Sequence, residues 1–221
     1  MKYKDIYELI EKRDKDFLKT YLDSLKTKLE NINSLNDKLS ALLILTVVTY
    51  FLIKSSLISN VNLGLIELNN FEIGLIAIPL IFSFLLLYYA ILNAHRSEIY
   101  RASKIISHYL IKEEIMNPDQ ELYSPDLVRY FLPFSMWDDI MRMNYHGTKY
   151  GCLPAIMTIP LIGIIFLPFW FQYYSIKHLI TDHWDKGVYV QVAVVLTIWI
   201  ILYTLFFYFK LFKINLKKDK E

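Results

Sequence analysis

The sequence predicts an all-α integral membrane protein with four transmembrane helices, an N-terminal cytoplasmic helix and a helical cytoplasmic segment between spans 2 and 3. Three observations carry that prediction. First, the chain of 221 residues is 55% apolar and 16% aromatic, above the roughly 45–50% apolar content of an ordinary soluble domain. Second, the excess is collected into four runs, residues 39–58, 73–92, 153–176 and 188–209, each of at least 20 residues. At about 1.5 Å per helical residue, each run reaches about 30 Å, the thickness of bilayer hydrocarbon. Third, the 24 Lys and Arg are unevenly placed, with nine in residues 1–38, seven in 95–150 and five in 210–220. The two intervening loops hold only Lys177 and Lys186. Basic residues near membrane spans stay on the cytoplasmic side, so both termini and the long central segment are expected there.

The expected organisation follows. Residues 1–38 form a cytoplasmic amphipathic helix, 39–94 carry transmembrane helices 1 and 2, and 95–150 form the cytoplasmic helical segment. Residues 151–210 carry transmembrane helices 3 and 4, and 211–221 are a basic cytoplasmic tail suited to anionic lipid head groups. The charged N-terminus has no short apolar core followed by a small-residue cleavage site, the pattern of a removable signal peptide.

From about Lys4 the first helix is expected to run into span 1 unbroken, because no Pro or Gly intervenes. Leu18, Leu22, Leu25, Leu29 and Ile32 follow the spacing of a coiled-coil seam, with Asp, Lys and Glu on the other faces. The seam is short, and either an oligomer contact or the chain's own cytoplasmic helices can cover it. Lys54 near the far end of span 1 is expected to extend its ammonium toward the outer interface. After span 2, Ala102, Ile105, Ile106, Tyr109 and Leu110 continue an apolar stripe, so that helix projects to about Met116, before Asn117 and Pro118.

Two short helices are expected next. Ser124, Pro125 and Asp126 have the order of an N-cap, a first-turn proline and a first-turn acid, and Ser135 with Asp138 is an acidic variant of the capping box. On the second of these helices Trp137, Ile140, Met141 and Asn144 face one way, while Asp138, Asp139, Arg142 and His146 face another, as in a helix lying at the interface. Span 3 holds Pro154 in its first turn, then Pro160, Gly163 and Pro168. The two inner prolines are expected to bend the helix, Gly163 to admit a close neighbour, and Thr158 or Thr197 to serve the loosened carbonyls.

Catalytic chemistry is thinly represented. Apart from Lys54 the spans contain no Asp, Glu, Arg or His, so the ionisable groups that proton-coupled transporters place at membrane depth are missing. A pore lined by weakly polar groups and closed by dewetting stays open as a reading. Asp138, Asp139, Arg142 and His146 can act together on a lipid head group, and they equally fit ordinary ion pairing along a helix. His178, Asp182, His183 and Asp185 are dense enough to be a weak candidate for a divalent metal, and equally fit a solvated loop anchored by Trp184. Arg101 and His108 enclose six residues, a spacing similar to the pair of HEPN-type ribonucleases. Cys152 is the only cysteine, which excludes an internal disulfide; it is a small residue at a helix start or a palmitoylation site. No phosphate-binding glycine loop, serine elbow or basic-aromatic stretch is present, so no cofactor and no direct nucleic-acid binding are expected.

The layout as a whole is Lys-rich and Asn-rich, with four spans, both ends inside, a helical cytoplasmic segment and no catalytic motif. It resembles the membrane subunits of bacterial antiviral defence systems, such as that of the Kiwa system. The resemblance implies a multi-pass inner (plasma) membrane protein that works as a homo-oligomer with a soluble cytoplasmic partner and detects infection at the membrane. Sensor, scaffold and pore are the corresponding non-enzymatic roles, with a lipid head-group enzyme as the alternative.

Overall fold

The structure is a computed structural model that describes residues 3–55, 61–62, 67–68, 71–112 and 153–218, with side chains in 6–55, 73–111 and 166–211. The chain order is α1 (Tyr3–Lys12), α2 (Lys15–Lys54), β1 (Val61–Asn62), β2 (Glu67–Leu68), α3 (Phe71–Lys112), α4 (Leu153–Asp182), a 3-10 turn (Trp184–Lys186) and α5 (Val188–Lys218). The fold class is all-α. The strands are a two-residue antiparallel ladder pairing Val61 with Leu68 and Asn62 with Glu67, in a stretch expected only to be a loop.

Three helices are long and apolar enough to cross a membrane, within Lys15–Lys54, Ile73–Ile111 and Val188–Leu211. The chain is therefore a multi-pass membrane protein. The run at 153–176 lies on α4, which is 30 residues long, and the side chains of its first part lie outside the described residues. So does the segment between α3 and α4, with its two expected short helices and the Asp138, Asp139, Arg142 and His146 face.

The N-terminal helix does not run unbroken into span 1. It stops at Lys12 and restarts at Lys15, for a reason the residues themselves supply. The Asp14 carboxylate oxygen Oδ1 accepts from the Phe17 N–H at 3.1 Å, and the Asp14 carbonyl accepts from the Leu18 N–H at 3.1 Å. A side-chain oxygen that satisfies one of the free amides of a first turn is an N-cap. Asp16 in that turn adds a negative charge where the helix dipole favours one.

Contacts divide the chain into two compact units. The first takes α1, α2 as far as Lys38, α3 from Ala90 onward and the end of α5 from Tyr208. Its core joins Ile6 and Ile10 of α1, Leu18, Leu22, Leu25 and Leu29 of α2, and Ile99, Ala102, Ile105 and Ile106 of α3, with Ile32, Tyr109 and Leu110 packed against it. The stripe expected on α3 is thus an interior face. The Leu18–Ile32 seam likewise packs inside the chain, the second of the two coverings the sequence left open, rather than standing free as an oligomer seam. Leu18 is 0% exposed, because α1 and α3 present apolar faces at matching spacing and bury the same side chains that a second copy would have covered. Polar ties flank this core: Arg96 Nε donates to Asn33 Oδ1 at 2.8 Å, and Asn36 Nδ2 to Asn93 Oδ1 at 3.3 Å.

The second unit takes α2 from Leu39, α3 up to Tyr89, and α4 and α5 as far as Phe207. One core cluster there unites Tyr50 and Ile53 of α2, Leu75, Phe82 and Leu86 of α3, and Phe171 of α4. A second unites Ile76 of α3, Leu179 of α4, and Val190, Ala193 and Val194 of α5. Large apolar side chains such as Trp199, Leu202 and Phe206 stay exposed on α5, as suits a helix whose solvent is lipid.

Backbone polarity in this unit is handled locally. Thr197 Oγ1 donates to the Ala193 carbonyl at 2.7 Å and Thr204 Oγ1 to the Ile200 carbonyl at 2.8 Å, so both hydroxyls return to their own helix. Thr197 therefore does not serve the α4 prolines. The helix α4 itself continues through the positions of Pro160, Gly163 and Pro168; the surroundings of Pro160 and Gly163 lie outside the described residues. A proline unmarked by the sequence reading, Pro79, sits inside α3. Its carbonyl accepts from Gln172 Nε2 of α4 at 3.2 Å, a side-chain bond that ties α3 to α4.

Candidate functional site

The densest group of polar side chains in the membrane unit lies where α2 ends and α4 nears its C-terminus. Tyr50 and Lys54 are one helical turn apart on α2, and Tyr174, His178 and Asp182 repeat at the same spacing of four on α4, so each set stands on one face. The two faces meet through specific contacts. Tyr50 Oη and His178 Nδ1 are 3.2 Å apart. Lys54 Nζ donates to Tyr174 Oη at 2.6 Å. His178 Nε2 lies 3.3 Å from Asp182 Oδ2, and the His178 and His183 ring centroids are 5.2 Å apart.

Aromatic rings close the apolar side of the group. Tyr50 meets Phe171 edge to face with centroids 5.2 Å apart, and Trp170 stacks on Tyr174 at 5.6 Å. Tyr50 is 0% exposed, so its hydroxyl depends on a protein partner, and His178 supplies one. The Lys54 ammonium, expected from sequence to extend toward the outer interface, donates a charge-assisted hydrogen bond to the Tyr174 hydroxyl and stays partly exposed.

Electrostatics fix the state of His178. A carboxylate facing Nε2 favours the tautomer carrying its proton there, which leaves Nδ1 as an acceptor for the Tyr50 O–H. Burial pushes the imidazole below its usual value of 6.5, and the Lys54 and His183 charges add to this against the opposing pull of Asp182. The ring is accordingly neutral at pH 7. His183 is 8% exposed and its Nδ1 has no hydrogen-bond partner among the described residues.

His178, Asp182, His183 and Asp185, expected in an outer loop, lie at the end of α4 and in the turn that follows it. Among the described residues no group of three or more His, Cys, Asp or Glu is arranged to hold a metal ion. His178 turns Nδ1 toward Tyr50 and Nε2 toward Asp182, so both of its nitrogens are already engaged. The sequence clustered these residues correctly and missed what organises them, which is the tyrosine contributed by α2. Period-four placement of Tyr50 and Lys54 at the apolar end of α2 is the signal that was present.

Past this group the loop turns at Gly187, whose φ of 153° is a conformation that L side chains rarely adopt. A Cβ there would stand 2.7 Å from Tyr189 Cε1. The turn thereby starts α5 directly after the 3-10 turn.

Two further places bear on function. Gln172 is 2% exposed; its amide nitrogen is engaged by Pro79, and its Oε1 is buried without a partner among the described residues. It borders an apolar recess of about 220 Å³ between α4 and α5, along with Ile176, Ile198 and Leu202. In the first unit, Arg101 and His108 lie on α3, and His108 is 4% exposed among the buried Ser103, Lys104 and Ser107. A nuclease pair has to reach a phosphodiester, and so buried an imidazole does not present one to solvent.

No known protein family, curated protein or solved structure matches the chain.

Proposed function

We propose that the chain is a non-enzymatic, oligomeric inner-membrane protein, with both termini in the cytoplasm, that couples the state of the bilayer to a soluble cytoplasmic partner as a sensor and scaffold. The observation that carries this reading is continuity. The helices α2 and α3 have 40 and 42 residues without interruption, and each contributes to both the membrane unit and the charged unit. The same two helices thus build the aliphatic core of the charged unit and carry candidate spans, so a partner docked on that unit would be tethered to the bilayer by the chain itself.

The charged unit is small and has an aliphatic core, which suits a docking platform better than a catalytic domain. With the leucine seam consumed inside the chain, self-association falls to the membrane unit, where α5 leaves Trp199, Leu202 and Phe206 exposed. Likeness of layout to the membrane subunits of antiviral defence systems supports infection of a bacterial cell as the stimulus.

Purification in mild detergent from native expression, with mass determination and identification of copurifying proteins, tests this reading. A multimer carrying a stoichiometric soluble partner is expected. A strictly monomeric particle with no partner would refute it.

A further inference from the structure

We propose that Tyr50, His178 and Asp182 form an acid-operated latch between α2 and α4, closed while His178 is neutral and opened when it takes a proton. The inference stands on the geometry of the membrane unit, independently of the sensor reading. In the closed state every group of the latch finds a complement: Tyr50 Oη and His178 Nδ1 lie 3.2 Å apart, and His178 Nε2 faces Asp182 Oδ2 at 3.3 Å. Protonation makes Nδ1 a donor. Its hydrogen then points at the Tyr50 oxygen, and the phenolic hydrogen has to turn away.

There is nowhere favourable for that hydrogen to go. Tyr50 is fully buried, with Phe51 and Phe171 against its ring, and His178 is the hydrogen-bond partner that its hydroxyl has among the described residues. A buried hydroxyl without an acceptor carries its desolvation penalty in full. The new imidazolium also meets the charge of Lys54.

Among the described residues, the titratable and charged groups acting on His178 are Tyr50 and Lys54 from α2, Asp182 from its own helix and His183 from the following turn. Asp182 stabilises the protonated ring. Lys54, His183 and burial oppose it. The balance leaves a neutral imidazole at rest that charges on acidification, and the bond that reverses is the one joining two helices.

Hydrogen exchange read by mass spectrometry tests the latch, on the full chain in nanodiscs of phosphatidylethanolamine and phosphatidylglycerol, at about pH 7.5 and about pH 5 with intrinsic rates corrected. Peptides from 171–183 are expected to lose about tenfold protection at the lower pH, while peptides from 194–204 keep theirs. In His178→Gln the pH ratio should fall to about one. Tyr50→Phe, which preserves the ring packing, should expose 171–183 equally at both pH values. His183→Gln should keep the wild-type ratio.

An undiminished acid response in His178→Gln or Tyr50→Phe, a loss of protection shared equally by α5, or no loss in the wild type would overturn the proposal. Abolition of the response in His183→Gln would also overturn it, by assigning the proton to the other ring.

Discussion

Replacing Leu18 with Ala separates the two uses a leucine stripe can have. Leu18 is fully buried in the core that also holds Ile6, Ile10 and Ile105, so truncation removes its transfer free energy and leaves a cavity that its neighbours fill only in part. Buried Leu→Ala changes cost about 2–5 kcal/mol. A value near 3 kcal/mol raises local opening of the charged unit by more than about a hundredfold. Amide exchange of Ile6 through Ile10 is the assay, because α1 is held by this core and by no membrane-crossing segment of its own. Those amides should lose about two orders of magnitude of protection while the detergent-solubilised mass is unchanged. If the mass falls to that of a monomer and α1 stays protected, the stripe is a subunit seam and the packing argument is wrong.

The N-cap offers a smaller and cleaner test. Asp14→Ala should cost the charged unit about 1 kcal/mol in chemical denaturation, and Asp14→Asn should recover most of it, since either side-chain oxygen can accept from Phe17. At the other end of the chain, Gly187→Ala forces both a disfavoured φ and a 2.7 Å approach to Tyr189, so its unfolding temperature in detergent should drop by several degrees, corresponding to about 1–3 kcal/mol. Gly74→Ala is the matched control: the added Cβ meets Ile53 Cδ1 at an ordinary 3.5 Å inside helix α3, and stability should hold or rise, by up to about 1 kcal/mol.

Lys54→Met removes one of the charges that hold His178 below 6.5. The imidazole titration followed by NMR should therefore move upward, and an unchanged or lower midpoint would contradict the electrostatic assignment. The sign for stability follows from the same shift. With the folded value below the unfolded one, the contribution is whole above about pH 6.5 and is lost as pH falls toward the folded value. Lys54→Met narrows that gap and should make the acid-induced loss smaller.

Legibility varied with the range of the interaction. The stripe of Ala102, Ile105 and Ile106 was readable because helical periodicity is local, and it is an interior face as expected. The Asp14 cap was equally local and still passed over, since attention to Pro and Gly as breakers hides a break made by a favourable start. His178, Asp182 and His183 stood out as a cluster within six residues of sequence, and proximity alone offered only a solvated loop or a weak metal candidate. The partner that defines their chemistry is Tyr50, 128 positions away from His178, and no pattern within either segment announces the pairing.

By itself the sequence determined that this chain enters a bilayer several times and folds as helices, because apolar length and helical period are properties of contiguous residues and lipid leaves backbone amides no other economical state. Tertiary structure alone decided which helices share a core. A leucine stripe is complementary to any apolar stripe of like spacing, in the same chain or another, and only the placement of α1 and α3 selects between them. The same holds for the polar groups, since whether an imidazole faces a tyrosine, a metal or water depends on a neighbour that sequence distance does not reveal.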